Sequence, residues 1–248
     1  MNPVVDISGI TIQNGGGYDV MAGGIYVGAG TTVTLSRVRV RENKSRQFGG
    51  GVANDGNLMV SQSLIVRNTL LVSAIGGVTS SGGGILNSAG GTLRVERSLI
   101  AENEAARGGG IRNAGGTLVV VNSTISGNKA VARGGGVMNF GQAAFAFATI
   151  TGNEASWGQP QVDLGEERLG GGIYHVAGNG STLLIGNSIL AANADNRSAS
   201  DADFAPDCHG TSPGGAFSLR GNVMGVWNPN CTLKDAILAG LPLDRVGT

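Results

Sequence analysis

Gly108–Asn128, GGGIRNAGGTLVVVNSTISGN, is the stretch whose reading decides the fold. It holds three short strand-like pieces: Gly110 to Asn113, Thr117 to Val121 and Ser123 to Ser126. Glycine, asparagine and alanine lie between them. β-Branched residues dominate the pieces and no 3.6-residue period is sustained, which argues against a helix. Three strands of three to six residues joined by tight bends make one coil of a solenoid rather than a hairpin.

The stretch recurs in both directions. Glycine clusters precede Ile25, Val52, Ile85, Ile111, Val137 and Ile173. A second signature ends at Asn43, Asn68, Asn103, Asn128, Asn153 and Asn193, with a best-kept interval of 25 residues. Longer intervals mark insertions at 69–81, 154–169 and around 176–181. The expected fold is all-β: a single right-handed parallel β-helix, a three-sided solenoid of about seven coils. At ~4.8 Å per coil such a rod is roughly 34 Å long. Residues 1–205 are expected to form the repeats, and 206–248 a closing segment and tail of the same domain. The tail from Leu233 to Leu241 is expected to form a short helical lid, and the N-terminus has no evident cap.

Period-two alternation separates the faces. The second strand points Val33 and Leu35, Leu93 and Val95, and Leu118 and Val120 inward, and the third points Val40, Ile65, Ile100, Ile125, Ile150 and Leu190 inward. Aliphatic residues then stack on their equivalents one coil away. Asn43, Asn68, Asn103, Asn128, Asn153 and Asn193 are expected to form one structural ladder, taking up the left-handed conformation at a bend. Asn54, Asn87, Asn113 and Asn139 would form a second, with His175 at its place in the sixth coil.

Composition agrees and excludes other classes. Glycine reaches 45 residues without a period of three, so a collagen-like helix is excluded. Aromatics at 4% suit a core of stacked aliphatics. With 17 basic and 17 acidic residues there is no domain-wide basic field, and nucleic acid is not an expected partner. No run of about 18 apolar residues marks a transmembrane helix. Met1 to Ile10 lacks the basic and long apolar regions of a signal peptide. Cys208 and Cys231 are the two cysteines. A bridge between them would contribute ~3.4 kcal/mol on the chain-entropy model, and an oxidising extracellular setting would favour it over two unpaired thiols.

The alternation of glycine cluster, Ile-x-Asn and Asn122-Ser123-Thr124-Ile125-Ser126-Gly127-Asn128 resembles the repeats of bacterial surface proteins with a pectate-lyase-like β-helix. Related patterns occur in polymorphic outer-membrane-protein repeats and in CSLREA-domain proteins. Asp6 to Asn14 resembles their entry coil, and Asp207-Cys208-His209-Gly210 with Gly221-Asn222-Val223 and Cys231 resembles their closing segment. The resemblance covers about residues 5–231 and implies a secreted or surface-attached molecule.

Chemistry is sparse. The fold also hosts polysaccharide lyases and hydrolases, but fold alone assigns no activity. Outward residues after the glycine clusters are Tyr26, Ala53, Leu86, Arg112, Met138 and Tyr174, and none is acidic. No catalytic or cofactor-binding set stands out. Asp201, Asp203 and Asp207 offer hard oxygen ligands and are the weak calcium candidates, without an EF-hand spacing. The outward row of the third strand is unusually apolar, and Leu64, Val66, Leu99 and Ile189 are the candidate interface. These features favour a scaffold over a catalyst. The expected role is an extracellular or cell-surface structural or adhesive module that associates with itself or another surface protein. The alternative is a carbohydrate-active enzyme with its site in the insertions.

Overall fold

A computed structural model describes residues 2–17, 21–71, 81–155, 169–178, 180–195, 206–211 and 221–225, and the backbone of 216–218, 234–235 and 245–246. All of its regular elements are β-strands, and every strand pairing is parallel. The strands form four stacked sheets, of nine, nine, seven and seven strands. This is an all-β solenoid with the arrangement of a parallel β-helix.

One coil shows the plan. Thr92–Glu96 lies in sheet A, Leu99–Ala101 in sheet B, Glu104–Arg107 in sheet C and Ile111–Asn113 in sheet D. Each pairs with its equivalent in the next coil, as Leu93 with Leu118 and Ile100 with Ile125, and the register shifts only in sheet C, between Ala105 and Arg107. The expectation of three strands per coil is therefore corrected to four. The extra strand follows the ladder asparagine and is only two residues long in several coils, as at Lys44–Ser45. Two residues carry too little alternation to register as a strand in sequence.

Among the described residues, seven complete four-strand coils run from Val4–Ser8 to Cys208–Gly210. Stacking continues beyond them. Ala216–Ser218 and Lys234–Asp235 extend sheet A, while Val223–Met224 and Arg245–Val246 extend sheet B. Lys234–Asp235, expected in a helix, is thus strand; the rest of that expected lid lies outside the described residues.

The core is the aliphatic stack read from alternation. Leu35, Val40, Val60, Ile65, Leu93, Val95, Ile100, Leu118, Ile125 and Ile150 are fully buried in one cluster. The bends are held by hydrogen-bonded ladders. Asn103 Nδ2 donates to Asn128 Oδ1 (2.9 Å) and to Ile65 O (2.9 Å), and Asn128 Oδ1 also accepts from the Asn103 backbone N–H (3.0 Å). The same bonds join Asn43 to Asn68, Asn68 to Asn103, Asn128 to Asn153 and Asn153 to Asn193. Each amide thereby satisfies backbone groups that a dry bend leaves without solvent. The neighbouring glycines make room. A Cβ on Gly110 would sit 2.6 Å from Gly136 O and 3.0 Å from Asn128.

The left-handed residue is not the asparagine but the one before it: Glu42, Arg67 and Glu102 have φ of 56°, 55° and 55°. The asparagine must turn its amide into the bend, so the conformation falls on a residue whose side chain can stay at the surface. There Arg67 pairs with Glu42 (3.4 Å) and Glu102 (4.0 Å).

Candidate functional site: a cleft on the outer face of sheet D

The outward row of sheet D stacks in register as Tyr26, Ala53, Leu86, Arg112, Met138, Tyr174 and His209. Alternation predicted a solvent-facing row. Tyr26 is 47% exposed, but Ala53, Leu86, Met138 and Tyr174 are buried. Part of the cover is a second apolar cluster, in which Leu169, Phe140 and Val176 pack on Met138 and Tyr174. Sequence periodicity assigns a face, and what later folds over that face is a tertiary event.

Beside this row runs another, Phe48, Ser81, Arg107, Arg133 and Leu169, joined by parallel bridges and strand pairing. The two rows carry aromatic and cationic groups together. The Arg133 guanidinium lies 5.2 Å from the centre of the Tyr174 ring, and the Tyr174 and His209 rings stack at 5.3 Å. Arg112 lies 5.3 Å from the centre of the Phe140 ring and donates to the Ser81 hydroxyl. Such contacts hold a guanidinium plane in one orientation.

Two depressions open on this face. The first, of about 430 Å³, is lined by Phe48, Ala53, Asp55, Leu86, Arg107 and Arg112 among others. The second, of about 480 Å³, lies at the turn from sheet D to sheet A and includes Gly90, Thr117, Phe140, Gln142 and Ser181. Ala89 and Ala114 line both, so the two depressions adjoin where sheet D turns toward sheet A. Asp55 Oδ2 accepts from the Tyr26 hydroxyl at 2.7 Å. That hydrogen bond, then burial and the Asp55 charge, hold the Tyr26 phenol above its ordinary range. Among the described residues Asp55 is the one carboxylate lining the cleft. Two-carboxylate glycoside hydrolysis needs a pair.

The sequence-predicted residues fall elsewhere. Leu64, Leu99 and Ile189 occupy one outward row of sheet B, with Thr124 and Thr149 between them; Val66 lies in the adjacent row beside Ala101. Leu64, Val66 and Leu99 are half-buried and Ile189 is 45% exposed. Asp207 is buried, and its Oδ1 accepts from both Asn193 Nδ2 (2.7 Å) and the Asn193 backbone N–H (2.9 Å). The calcium candidate is thus the last acceptor of the first ladder; Asp201 and Asp203 lie outside the described residues. Cys208 is fully buried and disulfide-bonded, while Cys231 lies outside the described residues. The second ladder passes from Asn54 through Asn87 and Asn113 to Asn139, which meets His175 Nδ1 at 3.0 Å.

Sequence reasoning missed a third ladder. Ser63, Ser98 and Ser123 each accept from the backbone N–H one coil earlier, as Ser63 N–H to Ser98 Oγ at 3.0 Å. Ala148 interrupts the row, which resumes at Ser188 and ends on Asn222. The signal was present as a serine directly after the left-handed residues Gln62, Arg97, Asn122 and Asn187.

No family model matches the chain, and no curated protein or solved structure matches it. No helix among the described residues is long and apolar enough to cross a membrane.

Proposed function

We propose that this chain is a right-handed, pectate-lyase-like β-helix acting as an adhesive module outside the cell or at its surface, and that the sheet D cleft holds an extended carbohydrate. The observation that carries this reading is the adjacency of the two depressions, which span successive coils and share Ala89 and Ala114. A ligand in the cleft lies across the strands. The backbone groups of those strands already pair between coils, as Ile85 with Ile111, so a peptide cannot be added as a further strand. Recognition falls to hydroxyls, the Gln142 amide, glycine-lined turns and the Phe140 ring. These suit the hydroxyls and C–H faces of a sugar chain. Binding of the full chain to a panel of oligosaccharides tests the reading. Saturable binding of at least one, abolished by Gln142→Trp in the cleft, supports it; no binding across the panel sinks it.

A second reading is a carbohydrate-active enzyme, favoured by Asp55, which accepts from the Tyr26 hydroxyl and lines one depression with Arg107 and Arg112. Release of reducing ends or unsaturated products from neutral and acidic polysaccharides decides between them. Self-association is a companion expectation, through the apolar row of sheet B. Sedimentation velocity over a concentration series, with Ile189→Lys as the control, reads it directly: a strictly monomeric chain removes it.

A further inference from the structure

We propose that the second depression takes a neutral, extended, β-1,4-linked glycan laid along the stack, one sugar to a coil, an inference that rests on the carbohydrate reading above and names its ligand class. Four successive turns from sheet D to sheet A line this depression, at 89–92, 114–117, 140–142, and 176–178 with 180–181. No lining side chain among the described residues is charged. A uronic acid chain would set one carboxylate per sugar against this lining and find no cation there to offset its desolvation.

Thr92, Thr117 and Gln142 open the strands Thr92–Glu96, Thr117–Val121 and Gln142–Ala146 and pair in register. Alternation turns them outward, opposite the buried Leu93, Leu118 and Ala143. The depression thereby receives one hydroxyl or amide per coil, at steps of ~4.8 Å. Among the described residues no protein partner engages these three side chains. Their carbonyls, in contrast, are held by the second ladder. Asn54 Nδ2 donates to Thr92 O (3.1 Å), Asn87 Nδ2 to Thr117 O (3.1 Å) and Asn113 Nδ2 to Gln142 O (3.2 Å). The backbone under the row is fixed while its polar ends stay open to a ligand, which lowers the ordering cost of binding.

A ligand that repeats at the coil spacing meets the same contact at each step. A β-1,4-linked pyranose chain is extended, and each sugar advances by about one coil. An α-1,4-linked chain winds away from a straight row. Phe140 and Val176, packed on the Met138–Tyr174 cluster, add apolar surface for sugar C–H faces. Gly90 is a separate sign of an open trough. It is not among the left-handed glycines, and a Cβ there would meet nothing nearer than Asp55 O at 3.9 Å. On Gly116 a Cβ would sit 2.4 Å from Gly91 O. Packing demands glycine at 116 but not at 90, where a larger side chain would intrude on the depression instead.

Isothermal titration of the full chain with cellohexaose, maltohexaose and hexagalacturonate tests this. Cellohexaose is expected to bind at least about tenfold tighter than either of the others, the effect of about one to two hydrogen bonds. Gly90→Leu is expected to abolish that binding with the thermal midpoint unchanged, and Thr117→Val to weaken it about fivefold. Maltohexaose binding as tightly as cellohexaose overturns the linkage, and hexagalacturonate binding more tightly overturns the neutral assignment. Failure of cellohexaose while another sugar binds overturns the whole inference. Each of these leaves the carbohydrate reading standing. Full affinity in Gly90→Leu overturns the location. If Gly90→Leu lowers the thermal midpoint, Thr117→Val is read in its place, and unchanged affinity there overturns the location. Absence of binding by every oligosaccharide overturns the carbohydrate reading and this inference together.

Discussion

The first coil and the fourth carry the same inward pattern and meet different fates. Val5, Ile7, Ile12 and Ile25 occupy the places that Leu93, Val95, Ile100 and Ile111 hold three coils later. The later four are fully buried, whereas Val5 is 42% exposed and the other three are only partly covered. The first coil also lacks the ladder amide. Gly15 stands where Asn43 stands one coil on, and only its backbone N–H reaches Asn43 Oδ1, at 2.9 Å. Burial in a solenoid comes from neighbours rather than from the residue itself, so a coil stacked on one side holds half of what a central coil holds.

Matched truncations test that difference most strongly. Ile100→Ala is expected to cost about 2–5 kcal/mol in urea unfolding, and Ile12→Ala less than half of that. Equal costs would break the comparison. Asn103→Ala comes next, at about 3 kcal/mol, because it removes the acceptor of Asn68 and leaves buried donors without partners. A cost below about 1 kcal/mol would mean that the ladder decorates the bend rather than holding it. Ala148→Ser sharpens the comparison in the other direction. It completes the serine row between Ser123 and Ser188 and is expected to stabilise by about 1 kcal/mol. The same denaturation experiment reads it, and a loss of stability would show that the methyl group packs too tightly for an added oxygen.

The smallest effect is expected at Glu104 on sheet C. Burial raises its carboxyl above the ordinary range, against an opposing pull from Lys129. The folded state therefore holds this proton more tightly than the unfolded one, and the corresponding stability is present at low pH and lost as pH rises through the raised value. Glu104→Gln is expected to be slightly more stable than the parent at neutral pH, with the gain vanishing as pH falls below the ordinary carboxylate range. Thermal midpoints across that range check the sign, and a gain that persists in acid would assign it to something other than titration.

Much of this was legible in the residues. Ile100, Ile125 and Ile150 announce the core by recurrence, and Asn103, Asn128 and Asn153 announce the ladder. The cleft was not legible. Arg107 and Arg112 share a cavity with Asp55, which precedes them by about fifty positions, and no local pattern joins them. Asp207 read as a weak calcium candidate, and its engagement with Asn193 depends on one coil closing over another.

The sequence alone determined the all-β class, the repeat, the inward and outward faces and the asparagine rows, because each follows from local periodicity and from backbone groups that every coil must satisfy. Only the tertiary structure decided that a coil has four strands, that the outer row of sheet D is largely buried, that a serine ladder exists, and that two depressions adjoin beside sheet D. Those features arise between coils. Stacking sets residues of distant sequence number a few ångströms apart, and no reading along the chain carries that distance.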